Sequence, residues 1–206
     1  MARAGPQIRV ALGYGFGVGD HTGSFRIPTG SVALRSAAGG SGALASGQLW
    51  IDRWIGENWS IGVEYAAFRN QGRFDVALPQ GLSILTDPVQ AGAQAKVRAD
   101  FGFLNLEYRM AAGAVHPFVG GGFGIGYGHA SAGYYFQNAF LGDVAQVVAV
   151  GKPIAGVQLF TGVEFDLARG LYVSVMPKVI AVDGHPIGLD QRYLEFGVDG
   201  MVGWRF

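Results

Sequence analysis

Several features on which other protein classes depend are missing from this chain of 206 residues. Cysteine is absent, which excludes disulfides and thiolate metal sites. No apolar run approaches the roughly 18 residues of a membrane-spanning helix. Charged residues make up only 15% of the chain, and 15 basic side chains balance 15 acidic ones. Because there is no basic stripe, we expect no nucleic-acid partner.

The first six residues also lack the apolar segment of a secretory signal. We therefore expect the sequence to be the mature form of an exported protein with an added methionine. The alternative is a chain that does not enter the secretory path.

Glycine, by contrast, is abundant. The chain has 35 glycines, far above the usual ~7%, without the third-position period of collagen. They alternate with Val, Ile, Phe and Tyr in a chain that is 50% hydrophobic. This pattern indicates folded strands rather than a flexible linker.

Eight segments alternate large apolar residues with polar or small ones at a period of two, the signal of a β-strand. They cover residues 7–19, 45–55, 59–68, 96–110, 116–128, 154–167, 171–182 and 193–206. The pattern predicts an all-β protein.

The second segment has an ambiguous register. If Ile51 faces outward, Gln48 and Asp52 face inward, but so do Trp50 and Trp54. A β-bulge would reconcile the pattern, and the register stays open at this point.

The connections alternate between short and long. Those after the second, fourth and sixth segments are short, whereas the others cover about 20–45, 69–95, 129–153 and 183–192. This alternation is typical of outer-membrane barrels, which have periplasmic turns at one rim and extracellular loops at the other. We predict one domain, 1–206: a transmembrane, eight-stranded, antiparallel up-and-down β-barrel with both termini periplasmic.

Glycine fills almost one whole face of the first and fifth segments. A narrow closed barrel tolerates such a face because its inner radius is small and its curvature high. Eight strands enclose an interior that side chains can fill, so a wide pore is not expected.

Ten charged residues fall on the inward faces of the predicted strands. They are Arg9, Glu64, Glu107, Arg109, Glu164, Asp166, Lys178, Glu195, Asp199 and Arg205. Buried charges must pair or meet water, and six acids against four bases are nearly balanced. We predict a charge-paired network that plugs the lumen. The alternative is the solvated face of a soluble sandwich, although no second sheet is available to cover the eight apolar faces.

Three stretches carry motifs. Residues 105–108 (NLEY) precede 116–127 (HPFVGGGFGIGY), residues 55–65 read IGENWSIGVEY, and residues 202–206 read VGWRF. Together they resemble the family of OmpA-like, opacity-type eight-stranded outer-membrane β-barrels. The resemblance implies a Gram-negative outer membrane, contact with its lipid and lipopolysaccharide, and an insertion signal at Phe196, Trp204 and Phe206 that the barrel assembly machinery reads.

The resemblance favours a non-enzymatic, structural or surface-interaction role without a cofactor. Apolar stretches at 76–85, 134–141 and 147–150 lie in the long connections. If exposed, they indicate a surface partner; alternatively, strands continue past the membrane and these residues pack together. The second functional alternative is a narrow channel or conduit for small, possibly hydrophobic, molecules, a role associated with the related OmpW-type barrels.

A third alternative is a lipid A-modifying enzyme. His129 and Ser131 share one face of a strand, and Asp143 would orient the histidine. The pair faintly resembles the His-x-Ser of outer-membrane lipid A deacylases, but Ala132 replaces the asparagine expected there. Nucleophilic catalysis needs the three groups in one hydrogen-bonded relay.

The four histidines show no metal-ligand spacing. They are His21, His116, His129 and His185. We expect no metal site.

Overall fold

The computed structural model describes residues 6–20, 22–27, 30–36, 40–77, 91–110, 113–138, 142–183 and 192–206. Its strands are β1 (Gln7–Asp20), β2 (Thr22–Ile27), β3 (Gly30–Ser36), β4 (Gly40–Asp52), β5 (Trp59–Ala77), β6 (Ala91–Arg109), β7 (Val115–Asn138), β8 (Gly142–Ala168), β9 (Leu171–Asp183) and β10 (Arg192–Arg205). In these ranges no helix is long and apolar enough to cross a membrane.

Eight of these strands form one closed antiparallel barrel. Its order is β1-β4-β5-β6-β7-β8-β9-β10, and β10 pairs again with β1 to close it. β2 and β3 form a hairpin, and β3 pairs with the far end of β5. The predicted eight-stranded antiparallel β-barrel is confirmed.

The two ends of the barrel differ. At the turn-side end, β1 begins, β10 ends, and short turns join β4 to β5, β6 to β7 and β8 to β9. Gly56, Gly113 and Gly170 lie in these turns with φ of 92°, 67° and 83°, values that glycine adopts without strain. The opposite, loop-side end carries the other connections.

Strands extend further toward the loop-side end than predicted. β5 and β6 take up part of the connection expected at 69–95, and β7 and β8 take up most of the one expected at 129–153. The β7–β8 ladder continues without a break from Val115↔Phe165 to Asn138↔Gly142. The backbone therefore continues as strands into the described part of these connections, and each further pair satisfies more backbone hydrogen bonds. Packing of the apolar residues on one another, and their contact with a surface partner, both stay predictions. The remaining residues of these connections, and 184–191, lie outside the described residues.

β4 settles the open register. It pairs continuously with β1 and β5, from Gln7↔Asp52 and Asp52↔Ser60 toward the loop-side end, so no bulge is needed. Trp50 faces inward and is fully buried, whereas Trp54 is 57% exposed. The inward placement of Trp54 was wrong because the strand ends at Asp52 and the chain turns before reaching it.

The outside of the barrel wall is mostly apolar among the side chains that the structure describes. Large apolar side chains such as Leu12, Phe123, Ile125, Leu159 and Val202 are more than half exposed there. Inside, buried apolar side chains form two layers. The loop-side apolar layer consists of Leu44, Ala66, Phe68, Ala99, Phe101, Phe103, Ile154, Ile180 and Val182. The turn-side apolar layer consists of Ala11, Trp50, Phe118, Phe160, Tyr172, Met176 and Met201.

Candidate functional site

Most polar side chains inside the barrel belong to two clusters at different depths. The turn-side cluster comprises Arg9, Asp52, Glu107, Arg109, Glu164 and Arg205. The central cluster comprises Ser46, Glu64, Asn105, Gln158, Lys178 and Asp199. Along β8, Glu164 is followed toward the loop-side end by Phe160, Gln158 and Ile154. The charged and apolar layers therefore alternate along the barrel axis.

Arg9 is the hub of the turn-side cluster. Its Nη2 lies 2.7 Å from Glu107 Oε1, its Nη1 2.9 Å from Glu164 Oε2, and its Nε 3.3 Å from Asp52 Oδ1. Its Cζ also lies 5.0 Å from the centre of the Trp50 ring. The three carboxylates come from three other strands. The planar guanidinium can donate to all three at once because it has five N–H donors in a rigid, forked arrangement.

Two further arginines complete the turn-side cluster. Arg109 donates to Glu107 over 3.0 Å, and its Nη1 lies 3.5 Å from Glu164 Oε1. Arg205 contacts Glu164 and Asp166. Three arginines thus meet the three carboxylates of Asp52, Glu107 and Glu164, so the cluster is neutral when all six are ionised.

Asp166 lies at the rim of the barrel rather than deep in the lumen. Its side chain is 38% exposed, which differs from its predicted place within a buried network. It contacts Arg205 and lies 2.9 Å from His116 Nε2. Because Asp166 is close to the turn-side end of β8, its inward direction still leaves it open to water at the mouth of the barrel.

Lys178 is the one cation of the central cluster. Its Nζ lies 2.6 Å from Glu64 Oε1 and 2.8 Å from Asp199 Oδ2, and all three side chains are 0% exposed. Ser46 donates its hydroxyl to the same Asp199 oxygen over 2.9 Å. The single ammonium group lies between two buried carboxylates, so these three groups carry a net charge of −1 when all are ionised.

Two amides extend the central cluster across the lumen. Gln158 Nε2 lies 2.8 Å from both Glu64 Oε2 and Asn105 Oδ1, and Asn105 Nδ2 donates to Glu64 Oε2 over 3.1 Å. Glu64 therefore accepts from the lysine with one oxygen and from amides with the other. These contacts join β5, β6, β8 and β9.

Glu195 is the remaining predicted lumen residue. It is 1% exposed and lies on β10, nearer the loop-side end than Asp199. A Cβ added at Gly17 of the neighbouring strand would lie only 2.0 Å from its Oε1. The glycine face of β1 thus leaves the space that this carboxylate occupies.

The same relation holds for the aromatic side chains of the lumen. A Cβ at Gly62 would lie 2.4 Å from the Trp50 ring, and one at Gly120 would lie 2.4 Å from Phe160. Inward glycine on one strand accommodates a large side chain on the next. In this narrow interior, each of these inward glycines thus lies beside a large side chain that would collide with a Cβ.

The predicted insertion residues lie on the outside of the barrel. Phe196, Trp204 and Phe206 are 56%, 40% and 74% exposed. Phe206 also donates its backbone N–H to Ile8 across the seam between β10 and β1. Reading of these residues by the barrel assembly machinery stays a prediction.

The strand register separates the residues of the deacylase alternative. Ser131 pairs with Ala149, whereas Asp143 pairs with Gln137, six residues further along the same ladder. That offset is about 20 Å at the rise of a β-strand. The backbone therefore does not bring Asp143 to the level of His129 and Ser131.

Metal-ligand geometry is likewise missing from the described part of the chain, where no group of three or more His, Cys, Asp or Glu side chains could hold an ion. His116 contacts Asp166 and His129 packs against Tyr127. His21 and His185 lie outside the described residues.

Comparison with solved structures finds outer-membrane β-barrels. The chain is similar to Ail, the attachment invasion locus protein of Yersinia pestis, solved with the heparin analogue sucrose octasulfate (10% identity, 98% of this chain, 100% of that chain, TM-score 0.49). It is also similar to a major outer membrane protein from Thermus thermophilus (14%, 98% and 100%, TM-score 0.49). A further similar structure is the outer membrane protease OmpT from Escherichia coli (11%, 97% and 96%, TM-score 0.48). No protein-family model and no curated protein sequence matches the chain.

Four lumen residues were not assigned to the network from sequence, although each lies on an inward face. They are Ser46, Asp52, Asn105 and Gln158. Period-two alternation places them inward, but three of them are uncharged, and the sequence leaves the register of β4, which carries Ser46 and Asp52, open. Carrying the alternation through every strand would have found them.

Proposed function

We propose that this chain is an integral outer-membrane β-barrel protein with a structural or surface-interaction role and a lumen closed by its own side chains. One observation carries the proposal: the polarity of the wall is reversed relative to a soluble protein. Arg9, Glu64, Glu164, Lys178 and Asp199 are buried inside, while large apolar side chains cover the outside. A closed barrel satisfies all backbone groups internally, as a lipid environment requires.

The height of the apolar wall fits a bilayer. Trp59 and Tyr108 pack edge to face at the turn-side end, with ring centres 5.1 Å apart. From Trp59 to Arg69, a step of ten residues along β5, the outward side chains between them are apolar apart from the hydroxyl of Tyr65. This step is about 33 Å along a strand, or about 25 Å along the axis at a ~40° tilt, the height of a lipid-facing band.

The closed lumen is supported by the alternation of its layers. The turn-side cluster, the turn-side apolar layer, the central cluster and the loop-side apolar layer follow one another along the axis. A solute would have to separate buried ion pairs and then displace packed aromatic rings. Breaking a buried pair alone costs about 3–5 kcal/mol, so we expect no steady conduction.

Mobility on gels tests the barrel itself. Protein folded in detergent should migrate differently without heating than after heating, and it should leave solution when the detergent is removed. A protein that stays monomeric and folded without detergent would contradict membrane insertion.

Planar-bilayer recording tests the closed lumen separately. We expect a silent bilayer after insertion is shown by the gel assay. Stable conductance steps that change in Lys178→Gln would instead favour the narrow conduit, while leaving the membrane barrel intact.

A surface-interaction role is supported by the apolar residues of the loop-side connections. Residues 78–85 lie outside the described residues, and only the backbone is described for 142–150. Deleting 79–88 should abolish binding to a surface partner but preserve the heat-dependent gel shift. Binding that is unaffected by the deletion would place the contact elsewhere.

A further inference from the structure

The outward face of the barrel carries charge in one place only, among the side chains that the structure describes on its eight strands. Arg69 on β5, Arg98 and Asp100 on β6, and His129 on β7 lie side by side near the loop-side end. On the eight barrel strands, every other outward side chain that the structure describes is uncharged. A charge facing hydrocarbon is destabilising, so this patch needs a polar surrounding.

The register sets the three basic residues in a row. Arg69 pairs directly with Arg98, and Arg98 pairs directly with His129. Side chains opposite one another on neighbouring strands have Cβ atoms about 4.5–5.5 Å apart, and like charges so placed repel. An anion bound between the two arginines would remove that repulsion.

Asp100 neutralises only part of the row. Its Oδ2 lies 3.1 Å from Arg98 Nε, and its Oδ1 accepts from the Tyr65 hydroxyl over 2.7 Å. Both of its oxygens are thus engaged, and the Arg98 side chain is still 53% exposed. Among the described outward side chains, two arginines therefore share a single acid.

In the membrane-embedded barrel proposed above, the row would lie at the depth of lipid headgroups. It is about 25 Å along the axis from the Trp59–Tyr108 pair, the estimated height of the lipid-facing band. Tyr65 and Tyr127, both outward and exposed, are nearby, as expected for an interface where one end of the ring is apolar and the other wet. The anionic group that phospholipids and lipid A carry in their headgroups is phosphate.

We propose that Arg69 and Arg98, flanked by His129, bind the phosphate of a phosphorylated lipid headgroup in the leaflet at the loop-side end. The proposal rests on the membrane-embedded barrel proposed above and adds a lipid site to it. Guanidinium groups bind phosphate through paired hydrogen bonds. The Asp100 contacts hold Arg98 in place, leaving its outer nitrogens for the ligand.

Native mass spectrometry of the full chain in detergent micelles tests this, with diphosphorylated lipid A as the probe. Retained lipid should fall about tenfold or more in the Arg69→Gln/Arg98→Gln variant, the loss expected for one charge-assisted hydrogen bond. The parent protein should retain dephosphorylated lipid A as poorly as the Arg69→Gln/Arg98→Gln variant retains diphosphorylated lipid A. The matched control, Arg53→Gln/Arg169→Gln, removes two arginines from the turn-side turns and should retain lipid like the parent.

Several results would overturn the lipid site. These are equal retention by the parent and the Arg69/Arg98 variant, equal retention of the dephosphorylated lipid, and displacement of lipid A by free inorganic phosphate. Each variant is first checked for the heat-dependent gel shift. If Gln prevents folding, the Arg69→Lys/Arg98→Lys variant keeps the charge and loses the paired donors, and it should show an intermediate retention. If the Arg69/Arg98 variant loses lipid but keeps the gel shift, the lipid site is lost while the barrel still folds. If the parent protein shows no gel shift, the proposed membrane barrel itself is wrong.

Discussion

Arg9 and Arg205 lie directly opposite each other across the seam between β1 and β10, and the carboxylate of Glu164 contacts both. This seam joins the first and last strands of the barrel and so closes it. Two like charges opposite one another would weaken the pairing. Glu164, which comes from β8 on another part of the wall, compensates them from inside the lumen.

Glu164→Gln should therefore destabilise the closed barrel. The change leaves Arg9 and Arg205 facing each other with one carboxylate fewer between them, and removing one partner of a buried ion pair costs about 3–5 kcal/mol. We expect a lower temperature for conversion of the fast-migrating gel band and a smaller free energy of unfolding by urea in lipid vesicles.

The control for this prediction is Glu57→Gln. Glu57 is exposed in the turn between β4 and β5, where a substitution is expected to change the free energy of unfolding by at most about 0.5 kcal/mol. Adding Arg205→Gln to Glu164→Gln should restore part of the loss, because it removes the repulsion at the seam. Equal stability of Glu164→Gln and Glu57→Gln would contradict the role of Glu164.

The central cluster predicts a strong coupling between Lys178 and Glu64. Lys178→Met alone leaves the carboxylates of Glu64 and Asp199 buried without their cation, and we expect it to lower the free energy of unfolding by about 3–5 kcal/mol. Glu64→Gln in the same chain should recover part of that loss. A double-mutant cycle of urea unfolding in vesicles measures the coupling.

Additive effects of the two substitutions would show that the Lys178–Glu64 contact does not form in the membrane. Lys178→Met with Glu107→Gln provides a second cycle with a buried acid of the turn-side cluster. We expect a smaller coupling there, because Glu107 contacts Arg9 and Arg109, whereas the 2.6 Å contact of Lys178 is with Glu64.

The barrel could be predicted from sequence because its signal is local. Period-two alternation gives the outward and inward faces of each strand, and the eight segments with their short turns indicate closure. The register of β4 was ambiguous for a physical reason. Trp50 is as large and apolar as a lipid-facing residue, and only the neighbouring Gly62 leaves room for it inside.

The partners within the lumen could not be predicted in the same way. Alternation shows that Arg9 and Glu164 point inward, but they are 155 positions apart in the chain. Which inward residues share a level depends on the stagger of all eight strands, which no single segment encodes. Phe103 and Phe101 lie two and four residues before Asn105 on the same strand, and so on the same inward face. Period-two alternation therefore predicts that these aromatic rings point into the lumen.

The glycine face of β7 gives a prediction about packing. A Cβ at Gly122 would lie 1.9 Å from Asn105 Oδ1 and 2.5 Å from the backbone oxygen of Leu104. Because a backbone oxygen cannot move aside, Gly122→Ala should destabilise the barrel by about 1–3 kcal/mol. Gly102→Ala is the matched control on the neighbouring strand, since nothing lies within 4 Å of its added Cβ. Urea unfolding of both variants in vesicles checks this, and equal effects would contradict the packing of glycine against lumen side chains.

Two leucines on the outward face of β8 test which solvent surrounds the wall. Leu159 lies near the middle of the strand and is 69% exposed, and Leu167 lies at the turn-side end and is 56% exposed. In a bilayer, Leu159→Lys should reduce the free energy of unfolding by about 2–4 kcal/mol, and Leu167→Lys by about 0–1 kcal/mol, because the cost of a charge depends on depth. On a water-exposed surface both changes would stay within about 0.5 kcal/mol. Urea unfolding in vesicles measures both variants, and equal small effects would show that water rather than lipid surrounds the middle of the wall.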